Sequence, residues 1–183
     1  GAAVPLRVLS IEEEWTVVVD IADALECISS VKWSPDGSVL AAGSWDQKVY
    51  LYLVAEGYQL QYVLLGNSSS IEHMNFSADG ELLLTNSKDG QMLYYEVATG
   101  ARITRTAWMR DVVWDRWTCN LGWSVQGIWD PDYDQTDVNA VCQSGGGDIV
   151  ALGDDYGMVK ICRYPSFCGK ESAGYASYCG HSS

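Results

Sequence analysis

The same pattern of residues occurs twice in the first half of this chain. The stretch SPDGSVLAAGSWDQKVYLY, residues 34–52, returns in different wording as SADGELLLTNSKDGQMLYY, residues 77–95. The offset of 43 residues holds without a gap from the pair Ile28 and Ile71 onward. A third, more diverged copy spans residues 136–164. A chain that repeats at such a period is predicted to be an array of similar structural units, each stacked on the next.

Each copy has the pattern of a small antiparallel sheet. Apolar and polar residues alternate, and Asp-Gly turns separate short apolar runs such as residues 39–42 and 82–85. A period of two bounded by tight turns is typical of strands joined by hairpins. No window of helical length carries an apolar stripe with a period of about 3.6 residues. Several strands in a unit of about 40–45 residues predict an all-β fold made of WD40-type β-propeller blades.

The repeats also predict how the chain is organised. Residues 1–14 stay unassigned, and residues 15–183 are predicted to be a partial propeller. Its parts are blades near 28–66, 71–108 and 136–178, with an insertion-bearing connection at 109–135. These three to four blades are an incomplete arc, because a closed ring takes about seven. We expect either a piece of a longer protein or one part of a ring that other chains complete, since open strand edges promote aggregation.

Three aspartates are expected to stabilise the hairpin between the second and third strands of their blades. They are Asp46, Asp89 and Asp155, and the last corresponds to Asp89 at an offset of 66 residues. A carboxylate at such a place accepts hydrogen bonds from turn amides. In WD-repeat proteins it also binds a histidine from a Gly-His pair at the start of the blade. Here Asn67 stands where that histidine is expected, and the closing CGHSS resembles the opening of a further blade.

The long connection resembles a segment of one known family. MRDVVWDRWTCNLGWSVQGIWDPDYDQTDVNAVCQS, residues 109–144, is similar to a stretch in the second propeller of the echinoderm microtubule-associated protein-like family. The run Thr-Asp-Val-Asn-Ala-Val-Cys carries most of the likeness, and the flanking motifs agree in order, so that the resemblance covers roughly residues 28–183. The chain departs from the family pattern where Pro-Glu-Gly becomes Asp130-Pro131-Asp132.

This resemblance implies a non-catalytic protein-binding scaffold that contacts tubulin or other cytoskeletal or axonemal partners. It also implies a cytoplasmic location on the cytoskeleton, on microtubules or in the ciliary axoneme. Two alternatives stay open: a WD-repeat adaptor in an unrelated complex, and a propeller hydrolase that uses clustered aspartates. No cofactor or metal is expected, because two histidines and six cysteines without a CxxC pair offer neither a catalytic pair nor a zinc ligand set.

Charge narrows the choice of partner. The chain has 24 acidic and 11 basic residues, a formal net charge of −13, which opposes binding to nucleic acid or to an anionic membrane. Protein partners remain. The connection offers five candidate contacts for them, Trp117, Trp129, Asp132, Tyr133 and Asp134, because tryptophan is frequent among binding hot spots. The competing interpretations are blade core for the tryptophans and a solvated loop for the acidic tip.

Overall fold

The computed structural model describes residues 5–129, 138–167 and 176–179. These residues form one two-stranded and three four-stranded sheets, all antiparallel, together with two short 3-10 helices. The predicted all-β fold of propeller blades is confirmed. The chain divides into two compact units, Gly1–Thr104 and Arg105–Ser183.

The first unit is a series of antiparallel strands in chain order. Its strands are β1 Leu6–Ser10, β2 Thr16–Ile21, β3 Ile28–Trp33, β4 Val39–Ser44, β5 Val49–Leu53, β6 Gln59–Leu64, β7 Ile71–Phe76, β8 Leu82–Ser87, β9 Met92–Glu96 and β10 Arg102–Ile103. Strands β1 and β2 form a hairpin, and β3–β6 and β7–β10 each form a sheet in which neighbours in sequence pair. Such meanders are what Asp-Gly turns between alternating segments produce.

The repeat period holds in three dimensions as well as in the sequence. Strand β3 begins 43 residues before β7, at Ile28 and Ile71, and β1 begins 43 residues before β5, at Leu6 and Val49. The hairpin β1–β2 therefore corresponds to β5 and β6, the outer two strands of a blade. Residues 6–14, which the sequence left unassigned, form β1 and the turn that follows it.

The two four-stranded sheets of the first unit pack face to face. Side chains of β4 and β5 on one face meet side chains of β7, β8 and β9 across a shared core. Its buried members are Val39, Ala41, Val49, Leu51, Leu64, Ile71, Met74, Phe76, Leu83, Leu93, Tyr95 and Val97. Each large side chain buried in this way contributes about 1.5–3 kcal/mol relative to an exposed one. Stacking of successive sheets is therefore what stabilises the unit.

The hairpin β1–β2 covers part of the opposite face of the first sheet. A second core joins Ile21 to Leu40 and Tyr52, so all of β4 is buried between two neighbours. Val31 and Trp33 on β3 stay half-exposed on this side, whereas Met74 and Phe76, 43 residues later, are buried. The difference arises because the hairpin supplies only the two outer strands of a blade.

The second unit contains the third predicted blade and the long connection. Its strands are β11 Val138–Gln143, β12 Ile149–Asp154, β13 Met158–Arg163 and β14 Ala176–Cys179, and its 3-10 helices are Ala107–Asp111 and Trp123–Ile128. The connection is buried to a large extent, with a core of Met109, Trp114, Trp117, Cys119, Val125 and Ile128. Neither helix is long and apolar enough to cross a membrane, and the described residues contain no other helix.

The same hydrogen-bond pattern closes the Ser-x-Asp-Gly turns between the first two strands of both four-stranded sheets in the first unit. In the turn between β3 and β4, Asp36 Oδ1 accepts hydrogen bonds from Ser34 Oγ at 2.6 Å and from the Ser38 amide at 3.0 Å. Gly37 has a φ of +73°, a conformation that glycine adopts without strain. The hydrogen bonds from Ser34 and Ser38 lower the pKa of Asp36 to about 2.

This lowered pKa makes the stability of the first unit depend on pH. The carboxylate stabilises the fold fully above its unfolded pKa of about 3.9 and loses that effect as the pH falls through about 2. We expect Asp36→Asn to lower the urea midpoint at pH 6, with a difference from the parent that shrinks towards pH 2. Asparagine keeps the shape and one acceptor, so the change reports the charge. An equal difference at both pH values would contradict the expectation.

Candidate protein-interaction surface

Asp46 lies in the turn that joins β4 to β5 and fastens it to the connection before β3. Its carboxylate accepts hydrogen bonds from the amides of Leu25 at 3.0 Å and Lys48 at 3.2 Å, and from Tyr50 Oη at 2.6 Å. Partial burial acts to raise the pKa of Asp46, but these hydrogen bonds outweigh it and leave the pKa below its usual value. The side chain is therefore a charged acceptor that holds two loop segments together.

Asp89 occupies the equivalent place between β8 and β9. It accepts hydrogen bonds from Ser68 Oγ at 2.5 Å and Ser87 Oγ at 2.6 Å. The bond from Ser68 is the main cause of the lowered pKa of Asp89. Ser68 belongs to the connection before β7, as Leu25 belongs to the connection before β3. Within its own blade, each aspartate thus joins the turn between the second and third strands to the connection before the first strand.

The third turn follows a different register. Strand pairing matches Gly153 with Val159, as it matches Asn86 with Met92, which makes the offset 67 residues instead of 66. Tyr156, not Asp155, then lies at the place that Asp46 and Asp89 hold. The register is fixed because a slip of one residue would turn the buried Val150 and Leu152 out of the core.

The neighbouring carboxylates Asp154 and Asp155 bind different partners in this third turn. Asp154 Oδ1 accepts hydrogen bonds from the amides of Tyr156 at 3.1 Å and Met158 at 3.0 Å, and its other oxygen pairs with Lys160 Nζ at 3.2 Å. Asp155 instead accepts a hydrogen bond from Asn139 Nδ2 on β11. Each carboxylate therefore has a structural partner. Among the described residues there is also no group of three or more His, Cys, Asp or Glu that could hold a metal ion.

A buried polar network lies beside the Asp89 turn, and sequence reasoning did not foresee it. Asn67 Oδ1 accepts a hydrogen bond from Thr85 Oγ1 at 2.9 Å, and Asn67 Nδ2 donates to Tyr95 Oη at 3.2 Å. Tyr95 Oη in turn donates to the carbonyl of Leu65 at 3.0 Å. Asn67 therefore links the connection to β8 and β9 and does not bind Asp89. The sequence did contain a sign of this difference, because Asn67 replaces the histidine that would bind the turn aspartate.

Trp117 is part of the core of the second unit. Its side chain is 1% exposed, its Nε1 donates to the carbonyl of Cys119 at 2.6 Å, and its ring packs edge-on against Trp114 at 5.8 Å. The Gln143 side chain also accepts a hydrogen bond from the Trp117 amide at 2.8 Å. A side chain so enclosed cannot contact a partner directly, so the structure favours the core interpretation of Trp117.

Trp129 is less enclosed than Trp117. Its Nε1 donates to the carbonyl of Asn120 at 3.1 Å, next to the Cys119 carbonyl that Trp117 uses, and its ring is partly buried. Asp132, Tyr133 and Asp134, the other candidate contacts, fall outside the described residues. Both tryptophans thus donate to the same short segment, and Trp129 is the more accessible of the two.

Comparison with known proteins gives one family. A family model described as the second β-propeller of echinoderm microtubule-associated protein matches residues 6–183. The chain is similar to echinoderm microtubule-associated protein-like 2 of Rattus norvegicus, with 42% identity over 164 residues, 88% of this chain and 25% of the relative. It is also similar to echinoderm microtubule-associated protein-like 3 of Mus musculus, with 38% identity over 171 residues, 91% of this chain and 19% of the relative.

A third relative gives the same result at a slightly lower identity. Echinoderm microtubule-associated protein-like 4 of Xenopus laevis is 36% identical over 165 residues, which cover 88% of this chain and 18% of the relative. The chain thus spans about a fifth to a quarter of the length of these relatives.

Proposed function

Because the chain belongs to the family of the echinoderm microtubule-associated protein second β-propeller, we propose that it is a non-catalytic scaffold whose blades bind tubulin or other cytoskeletal proteins. The match over residues 6–183 is the observation that carries the proposal. The names of the relatives describe them as microtubule-associated, and we extend that association to this chain. A cytoplasmic place on the cytoskeleton, which includes the ciliary axoneme, belongs to the same proposal.

The geometry supports a scaffold more than an enzyme. The turn carboxylates Asp46, Asp89 and Asp154 are each engaged by turn amides or hydroxyls, so their role is to fix loop shape. Rigid sheets that hold short loops at their ends suit recognition through surface complementarity. Catalysis by paired carboxylates would need two such groups to converge on one substrate position.

The charge of the chain constrains where a tubulin contact can lie. A formal net charge of −13 repels an acidic polymer surface such as the outside of a microtubule. We therefore assign the contact to exposed basic groups of tubulin or of other cytoskeletal proteins.

The test is the solution mass of the chain, measured by light scattering after size exclusion, alone and with soluble tubulin dimer. We expect a 20.1 kDa monomer that moves into a tubulin-containing peak. Serum albumin, another acidic protein, is the control and should leave the chain in its own peak. Separate elution of the chain and tubulin at every concentration up to tens of micromolar would refute binding by these residues.

A further inference from the structure

Two exposed apolar side chains lie at one end of the first sheet, and we name them the Leu25–Trp45 patch. Leu25 is 70% exposed and Trp45 is 56% exposed. The Leu25 amide donates to Asp46 Oδ2 at 3.0 Å, and the Trp45 amide donates to the carbonyl of Cys27 at 3.0 Å. These bonds fasten the connection before β3 to the turn between β4 and β5. The two residues are therefore held in place at the same end of the sheet.

The next blade shows that this turn does not require apolar residues. Forty-three positions later, Ser68 and Lys88 replace Leu25 and Trp45. The Lys88 amide donates to the carbonyl of Ser70 at 2.9 Å, as the Trp45 amide does to Cys27. Ser68 reaches Asp89 through its hydroxyl, where Leu25 reaches Asp46 through its amide. The loop geometry is thus retained with polar side chains.

The place of the patch separates it from Val31 and Trp33, the exposed apolar residues of β3 in the same blade. Val31 and Trp33 lie on a sheet face, where a neighbouring sheet packs in the next blade along. Leu25 and Trp45 lie in loops at the end of the strands, off the faces through which sheets stack. Sheet stacking therefore does not account for their exposure, and two large apolar side chains fastened at one end of the sheet are available for contact with another molecule.

The surroundings of the patch are acidic. Asp23 and Glu26 are exposed in the same connection as Leu25, and Asp46 lies in the turn; within residues 22–27 and 45–48, Lys48 is the single basic residue. Burial and the nearby Asp23 carboxylate both raise the pKa of the Tyr52 phenol, which places Asp23 beside Tyr52. An apolar patch carried by two acidic segments is complementary to an apolar side chain that has basic neighbours.

We propose that the Leu25–Trp45 patch binds a protein segment that presents a large apolar side chain between lysines or arginines. This rests on the proposed function only in taking the partner to be a protein. A second copy of this chain would bring the same acidic patch and a formal charge of −13, so like charges oppose that occupant. A nucleic acid or an anionic membrane is opposed for the same reason.

The test uses a phage-displayed library of random twelve-residue peptides, panned against the whole chain. We expect a consensus with Leu, Phe or Trp flanked by Lys or Arg. A synthetic peptide of that consensus should bind about tenfold more weakly to Trp45→Lys, and several-fold more weakly to Leu25→Ser, as loss of a hot-spot residue requires. Both changes introduce residues that the next blade carries at these positions, so folding should be retained, which circular dichroism checks.

Trp108→Lys is the matched control. Trp108 is 50% exposed, and the change adds the same positive charge at a distant position in the sequence, so peptide affinity should change by less than about twofold. Peptide binding that is equal in the parent and in Trp45→Lys would overturn the proposal, as would an acidic consensus or none. If the parent forms a dimer and Trp45→Lys is a monomer, the patch mediates self-association, which would also overturn the proposal. The tubulin mass assay is independent, so the scaffold function can stand if the patch fails.

Discussion

Replacing Gly43 with valine should lower the free energy of unfolding of the first unit by about 3 kcal/mol, the upper part of the range for overpacked cores. Gly43 lies on β4, where the sheet β3–β6 faces β7. A Cβ added there would lie 2.6 Å from Ile71 Cγ2 and 3.2 Å from Met74 Sδ. Both neighbours are fully buried, and the branched Ile71 side chain cannot swing aside. The two sheets would have to separate.

Gly153 is a built-in control for this experiment. It occupies the same position in the second unit, where strand pairing places it opposite Val159 as Gly43 lies opposite Val49. A Cβ at Gly153 would meet no atom of the described residues within 4 Å. We expect Gly153→Val to change the urea midpoint by less than a quarter of the shift that Gly43→Val produces. Equal effects would mean that glycine is needed for strand geometry and not for close approach of the sheets.

Removal of the Asn67 side chain should cost about 2–3 kcal/mol, because it leaves the buried Thr85 hydroxyl without its acceptor and opens a small cavity. Thr85 Oγ1 donates to Asn67 Oδ1 at 2.9 Å. Tyr95 Oη keeps its bond to the Leu65 carbonyl, so the loss falls mainly on Thr85. Urea unfolding of Asn67→Ala, compared with the parent at pH 7, measures the cost.

A double variant tests whether the network itself is responsible. In the preceding blade, 43 residues earlier, Ala24 and Ala42 stand at the places of Asn67 and Thr85, and both are buried. An apolar pair is therefore compatible with this site. Asn67→Ala combined with Thr85→Val should be less destabilised than the sum of the single variants by about 1 kcal/mol, since neither polar group is then left unpaired. Strict additivity would show that the two side chains act independently.

Much of the fold could be predicted from the sequence because the repeat is exact in the first unit. The offset of 43 residues read from Ile28 and Ile71 is the offset between β3 and β7, and the family resemblance read from residues 109–144 is confirmed by the match over 6–183. Period-two alternation and Asp-Gly turns carry this information locally. The strands and their repeat could therefore be predicted without knowledge of long-range packing.

The features that the sequence did not reveal depend on contacts between distant segments. The pair Asp154 and Asp155 allows two alignments, and only strand pairing selects the one that places Tyr156 in the turn position. Trp117 lies in a connection without periodicity, so burial could not be distinguished from exposure before the core was seen. For the same reason, a tryptophan at a strand end, such as Trp45, gives no sign in the sequence that it faces solvent.

The offset of 43 residues from β1 to β5, and again from β5 to β9, has a consequence for the gene. An in-frame deletion of residues 28–70 would connect the segment before β3 directly to β7, which is the junction that residues 65–70 already make in the present chain. A duplication of the same span would insert a whole sheet without creating a new type of junction. One unequal crossover between the two copies could therefore add or remove a blade in a single step, with every reading frame and every turn preserved.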